Sequence, residues 1–144
     1  MSLHARHVIT YEPNPECHPV IGRLGRPNIT LRPVALSDRA GIAALIFQKG
    51  NSGIGSIAGE NPIAAQGGAP DHVRLDVATV RLDEEGLDPV GLIKIDVEGH
   101  EAAVLAGALG LIARDHPRLL QRDPPGTPGY VNNFLFLYKD DRIA

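Results

Sequence analysis

Leu92-Ile93-Lys94-Ile95-Asp96-Val97-Glu98-Gly99-His100-Glu101 is the stretch on which the fold turns. Its apolar start reads as a short buried strand, Asp96 closes that strand, and Gly99 turns the chain into a helix. A strand that delivers a carboxylate into a strand-to-helix turn sets it at the carboxyl edge of an α/β sheet. Ligands bind in the crevice at that edge.

Downstream, Glu98 to His116 reads as one helix, with Ala102, Leu105, Ala108, Leu109 and Ile112 at helical spacing on one side. Glu98 and Glu101 in its first turn and Arg114 near its end complement the helix dipole, and Pro117 stops it. Arg118 to Gln121 reads as a short strand, Asp123 to Gly129 as a turn-rich insert, and Tyr130 to Tyr138 as a final strand. Upstream, Val73 to Leu82 alternates as a half-buried strand should. Ile42 to Phe47 is a further apolar strand, and Gln48 to Asp71 a long glycine-rich loop. Near the start, His7 to Tyr11 and Asn28 to Leu36 read as strands, with Pro33 favouring an edge. A short helix, weakened by Pro19 and Gly22, lies between them over Glu16 to Leu24. Strands interleaved with helices point to an α/β sheet.

Composition narrows the function class. The chain has 144 residues, 43% hydrophobic and 22% charged, which suits one ordinary domain. A net charge of −3 gives no pull toward nucleic acid or anionic membranes. No apolar run reaches the roughly 20 residues of a membrane span, and Met1 to His7 lacks a signal-peptide core, so a cytoplasmic protein is expected. The one cysteine, Cys17, fits a reducing compartment and reads as a small side chain at a helix start. No metal site is expected from it. Nucleophile elbow, P-loop, C-x-x-C and H-E-x-x-H motifs are all missing, so neither a hydrolase nor a zinc enzyme is indicated.

Three groups of residues carry chemistry. Glu12, at a strand end in Tyr11-Glu12-Pro13-Asn14-Pro15, is placed to accept hydrogen bonds from a ribose diol, or else is a solvated turn glutamate. Asp38, following Ser37 after the second strand, lies where a carboxylate accepts from an exocyclic amine such as that of adenine. Its plainer reading is an Asx-turn acid. Asp96, Glu98 and Glu101, with His100 beside them, could position or deprotonate a substrate hydroxyl, or hold a divalent cation through oxygen ligands. The plainer role of the two glutamates is dipole complementarity, and that of His100 a surface residue.

Taken in order, Val8 to Pro15, Pro33 to Gly41 with Gly50-Asn51-Ser52-Gly53, and Leu92 to Glu101 continuing through Val104 to Ala108 resemble one family. The chain is similar to the FkbM-type methyltransferases over roughly residues 7 to 120. The resemblance implies an S-adenosylmethionine-dependent O-methyltransferase acting on a hydroxyl of a small molecule or sugar. It also implies a Rossmann-like class I sheet, mostly parallel and doubly wound, with an antiparallel strand at one edge. By position, Glu12 would bind the ribose hydroxyls of the cofactor, and Asn14 belongs to the same segment. Ser37 and Asp38 would line the adenine pocket, Asp96 would sit beside the methionine portion and the methyl group, and Glu98 and Glu101 would shape the acceptor side. The site residues are therefore Glu12, Asn14, Ser37, Asp38 and Asp96 for the cofactor, and Asp96, Glu98, His100 and Glu101 for catalysis, without a metal.

One departure stands out. Family members have a first strand leading into a glycine-rich acidic loop, and nothing before His7 matches it. The family's sheet sets that strand between those carrying Glu12 and Asp96. Residues 1–144 thus read as a single α/β domain, incomplete at its start. Three arrangements follow: the flanking strands close up, a partner chain such as the second subunit of a homodimer donates a strand, or the chain is an inactive scaffold without competent cofactor binding.

Overall fold

A computed structural model describes residues 5–57, 71–97, 99–121 and 135–138. Its elements are β1 (Val8–Tyr11), α1 (His18–Arg23), β2 (Ile29–Arg32), β3 (Ala35–Leu36), β4 (Gly41–Gln48), β5 (Asn51–Ile57), β6 (His72–Val80), β7 (Val90–Ile95), α2 (Glu101–Ala106), α3 (Leu109–Asp115), β8 (Arg118–Gln121) and β9 (Leu135–Tyr138). A 3-10 turn, Leu82–Glu84, precedes β7.

The strands form two sheets, a five-stranded one in the order β2-β1-β9-β7-β8 and a four-stranded one in the order β3-β6-β4-β5. In the first, β1 pairs with β2 in parallel, as β7 does with β8. Strand β9 lies between these pairs and is antiparallel to both β1 and β7. The antiparallel strand expected at an edge is therefore central. It fills the position between the Glu12 and Asp96 strands, so these neither close up directly nor stand apart.

The β-strand expected over Asn28 to Leu36 is two strands. Proline at position 33 has no N–H for a ladder, and the chain leaves the first sheet there. After it, Ala35 and Leu36 pair in parallel with Thr79 and Val80 of the second sheet. The loop expected from Gln48 to Asp71 begins instead as β5, antiparallel to β4. Its later part, residues 58–70, lies outside the described residues, as do 122–134, which hold the Asp123 to Gly129 insert.

The single helix expected from Glu98 to His116 is also two. α2 ends at Gly107 and α3 begins at Leu109. The break comes from a close approach: a Cβ on Gly107 would lie 2.0 Å from the carbonyl oxygen of Ser37, so only glycine fits there. The break also rotates the apolar stripe. Val104, Ala108 and Leu111 are buried, whereas Leu109, assigned above to the buried side, is 63% exposed. The carboxylate of Asp83, in the 3-10 turn, accepts from the backbone N–H of Leu111 at 2.8 Å and of Gly110 at 3.1 Å, and so caps α3.

The principal core packs Ile9 and Tyr11 of β1 and Val90, Ile93 and Ile95 of β7 against Val104, Ala108 and Leu111. Ala5 and Val8, with Ile29 and Leu92, form a smaller cluster. Helix α1 buries no side chain, so the expected doubly wound cover is not seen among the described helices. A third cluster, of Ala35, Leu45, Phe47 and Val77, belongs to the second sheet.

Candidate active site

Because β1, β2, β7 and β8 run in one direction, their carboxyl ends share one edge of the sheet. Glu12 follows β1 and Asp96 follows β7 at that edge, separated by β9. Two strand spacings put the acids roughly 10 Å apart across the sheet.

Strand alternation sends Tyr11 into the core, where it is 2% exposed and its hydroxyl donates to Glu85 Oε2 at 2.9 Å. That anchor fixes the strand end at Glu12. The turn beyond closes on itself: Glu12 Oε1 accepts from the Asn14 N–H at 2.8 Å, and Asn14 Oδ1 accepts from the Glu16 N–H at 3.0 Å. Burial pushes the Glu12 carboxyl above the usual glutamate range. The Asn14 amide, the nearby His18 and the Cys17 thiol oppose that rise in part. Asn14 is only 3% exposed, and its Nδ2 has no hydrogen-bond acceptor among the described residues. A buried amide donor left without a partner costs roughly 1–3 kcal/mol, so this nitrogen is a ready point of attachment for a ligand oxygen.

Asp96 shows the same feature with opposite polarity. It is 3% exposed, and neither carboxylate oxygen receives a hydrogen bond from a described residue. Lys94 Nζ stands 3.2 Å from Oδ2, close enough for an ion pair but misaligned for a hydrogen bond. Two positions apart on an extended strand, Lys94 and Asp96 share a face. Beyond Asp96, Gly99 takes φ 80, the left-handed conformation that glycine adopts without strain, and turns the chain into α2.

Ser37, Asp38 and His100 meet although 63 residues separate the first from the last. Nε2 of His100 lies 3.1 Å from Ser37 Oγ, and Ser37 Oγ donates to Asp38 Oδ1 at 3.1 Å. All three line a cavity of about 420 Å³ whose walls include Thr79 and the small residues Gly41, Ala43 and Ala44. Glu101 opens α2 and is half-buried, and Glu98 lies outside the described residues.

The structure thus gathers Glu12 with Asn14, and Ser37 and Asp38 with His100, and sets Asp96 at the same sheet edge. Among the described residues, no three His, Cys, Asp or Glu side chains cluster as a metal site would require. No described helix is long and apolar enough to cross a membrane.

The sequence model of the methyltransferase FkbM domain matches residues 3–138, nearly the whole chain. The chain belongs to the FkbM methyltransferase family. The crystal structure of methyltransferase FkbM from Methylobacillus flagellatus KT resembles it with a TM-score of 0.52 at 17% identity, over 92% of this chain and 36% of that one. That likeness is one of fold, and this FkbM-family chain spans about a third of the length of that relative. Among curated proteins none matches it.

Three partners within this FkbM-family site escaped the reading of the sequence. Lys94 beside Asp96 was legible from the two-residue spacing. The Cys17 thiol against Glu12 and the Ser37–His100 bond arise from turn and tertiary geometry, and no local pattern announces them.

Proposed function

We propose that this chain is an S-adenosylmethionine-dependent methyltransferase domain with a Rossmann-like cofactor edge, methylating a hydroxyl of a small molecule or sugar. The observation that carries the reading is the pair of buried, unsatisfied side chains at one sheet edge, the Asn14 amide and the Asp96 carboxylate. Their chemistry fits the cofactor. Glu12 would accept from the ribose hydroxyls while Asn14 Nδ2 donates to an oxygen, Ser37 and Asp38 would hold the adenine, and Asp96 would accept from the ammonium group of the methionine end. Acids at this edge also suit a ligand bearing two positive charges.

When bound, S-adenosylmethionine supplies an electrophilic methyl group. In-line transfer asks the protein chiefly for alignment, so Asp96 and the strand end that carries it position the reacting atoms. Glu101, which opens α2, would take the hydroxyl proton as the nucleophile attacks. Lys94, with Nζ 3.2 Å from Asp96 Oδ2, holds the carboxylate from the same strand face. The chain is taken to work in the cytoplasm.

A second reading has its own observation. With β9 running antiparallel between β1 and β7, the middle of the sheet delivers no strand-to-helix turn at the ligand edge. A scaffold that keeps the acids without competent cofactor binding would look the same. Thermal unfolding with added ligand separates the two. Millimolar S-adenosylmethionine or S-adenosylhomocysteine should raise the midpoint in a concentration-dependent way, whereas ATP and NAD should not. An unmoved midpoint with both adenosyl compounds supports the inert scaffold, and a shift with ATP or NAD alone points to a nucleotide-binding module of another kind.

A further inference from the structure

His100 is set apart from the other residues of the strand-to-helix turn by what it touches. It is 6% exposed, immediately before α2, with Nε2 at 3.1 Å from the oxygen of Ser37, which is also 6% exposed. A serine hydroxyl has one hydrogen and two acceptor lone pairs. That hydrogen goes to Asp38 Oδ1. The bond to His100 is therefore made only if Nε2 brings a proton of its own. A nitrogen that donates here does not accept the proton of a methyl acceptor at the same time.

The consequence falls on Asp38. Its Oδ1 receives the Ser37 hydroxyl and lies 3.4 Å from Arg39 Nε, so both recorded contacts use one oxygen. Oδ2 has no recorded partner among the described residues, and the side chain, 44% exposed, borders the cavity beside His100. Helix α2 reaches Ser37 a second time at its other end, where Gly107 packs under the serine carbonyl. The same short helix thus fixes both the hydroxyl and the backbone of the residue that orients Asp38.

We infer that His100 is a positioning residue for base recognition: through Ser37 it turns the Asp38 carboxylate so that one oxygen is left to accept from an exocyclic amine. The inference rests on the cofactor reading above and adds to it a determinant of base specificity. A carboxylate oxygen held in this way accepts from the 6-amino group of adenine and repels the 6-oxo group of hypoxanthine. The discriminating quantity is therefore the affinity ratio between S-adenosylhomocysteine and S-inosylhomocysteine.

Calorimetric titration of the full chain with both compounds reads this ratio. Wild type should prefer the adenine compound by at least about tenfold, as befits one hydrogen bond to a charged acceptor. In His100→Leu the ratio should collapse to within about threefold, a difference of well under 1 kcal/mol. His100→Gln, whose side-chain amide still donates, should restore most of the preference. A merely structural role would lower both affinities and leave the ratio alone. Should His100→Leu fail to fold, Ser37→Ala removes the middle of the relay without emptying a buried ring site, and its ratio decides. A wild-type ratio retained in the folded variants overturns the inference while the cofactor reading stands, as does a wild type that binds both compounds equally. A wild type that binds neither overturns both.

Discussion

Glu12 is held at a cost to the fold, as a residue that the proposed function assigns to a ligand would be. Burial raises its carboxyl pKa despite three favourable neighbours, so the folded chain holds this proton to higher pH than the unfolded chain does. Between the ordinary glutamate value and the raised one, the native state binds more protons, and stability falls as pH rises through that window. The effect is present in full below the unfolded value and lost above the folded one. Glu12→Gln keeps an oxygen for the Asn14 N–H and removes the buried charge. It should raise the thermal midpoint at neutral pH, flatten the pH dependence of stability between acid and neutral conditions, and weaken cofactor binding by about tenfold or more. A midpoint lowered at pH 7 together with unchanged affinity would show that the carboxylate is structural. The positions of the acids at this edge were readable in the sequence because Glu12 and Asp96 each close an apolar run that reads as a strand. Their hydrogen bonds were not, since the Glu12 turn closes through backbone geometry that a sequence does not display.

At the level of elements, α2 matters more than its six residues suggest. It joins the Asp96 end of β7 to the Ser37 turn, with its fit set by the Gly107 contact. Gly107→Ala should destabilise the chain by about 3 kcal/mol, since the added methyl meets backbone, which cannot swing aside as a side chain can. Urea unfolding measures the loss, and a change below about 0.5 kcal/mol, the range of neutral surface substitutions, would refute the close packing. The cap on α3 is a milder case. Asp83→Ala leaves the Gly110 and Leu111 amides without their acceptor and should cost about 1–2 kcal/mol by the same measurement. A stability unchanged from wild type would show that Asp83 does not cap the helix. Helical periodicity located the right segment but could not reveal the break, because a glycine within an apolar-periodic run reads as a tolerated defect. The partner that demands it, the Ser37 carbonyl, lies 70 residues earlier in the chain. Pro33 shows the reverse: its missing N–H was plain, yet only tertiary structure says that the chain changes sheets there.

Across the whole molecule, the order β2-β1-β9-β7-β8 makes the last described strand the middle of the sheet. A mostly parallel sheet was anticipated from family resemblance, and a final strand was anticipated over Tyr130 to Tyr138, which contains β9. Its central position was not, since strand order depends on long-range pairing that an apolar run does not encode. A central strand exchanges its amide hydrogens only when the sheet opens. The amides of residues 135–138 that pair with β1 and β7 should therefore be protected nearly as strongly as those of β7. Exchange at the rate of an unstructured peptide would place β9 outside the sheet.

That arrangement leaves the ligand edge with Glu12 and Asn14 on one side of β9 and Asp96 on the other, and the proposed activity requires one cofactor to span them. Isothermal titration of the chain with S-adenosylhomocysteine, repeated on Glu12→Ala and Asp96→Asn, tests this most directly. Saturable heat in the wild type, with affinity reduced about tenfold or more in each variant, is the predicted result. A folded wild type that gives no heat at millimolar ligand, or variants that bind as well as wild type, would contradict it.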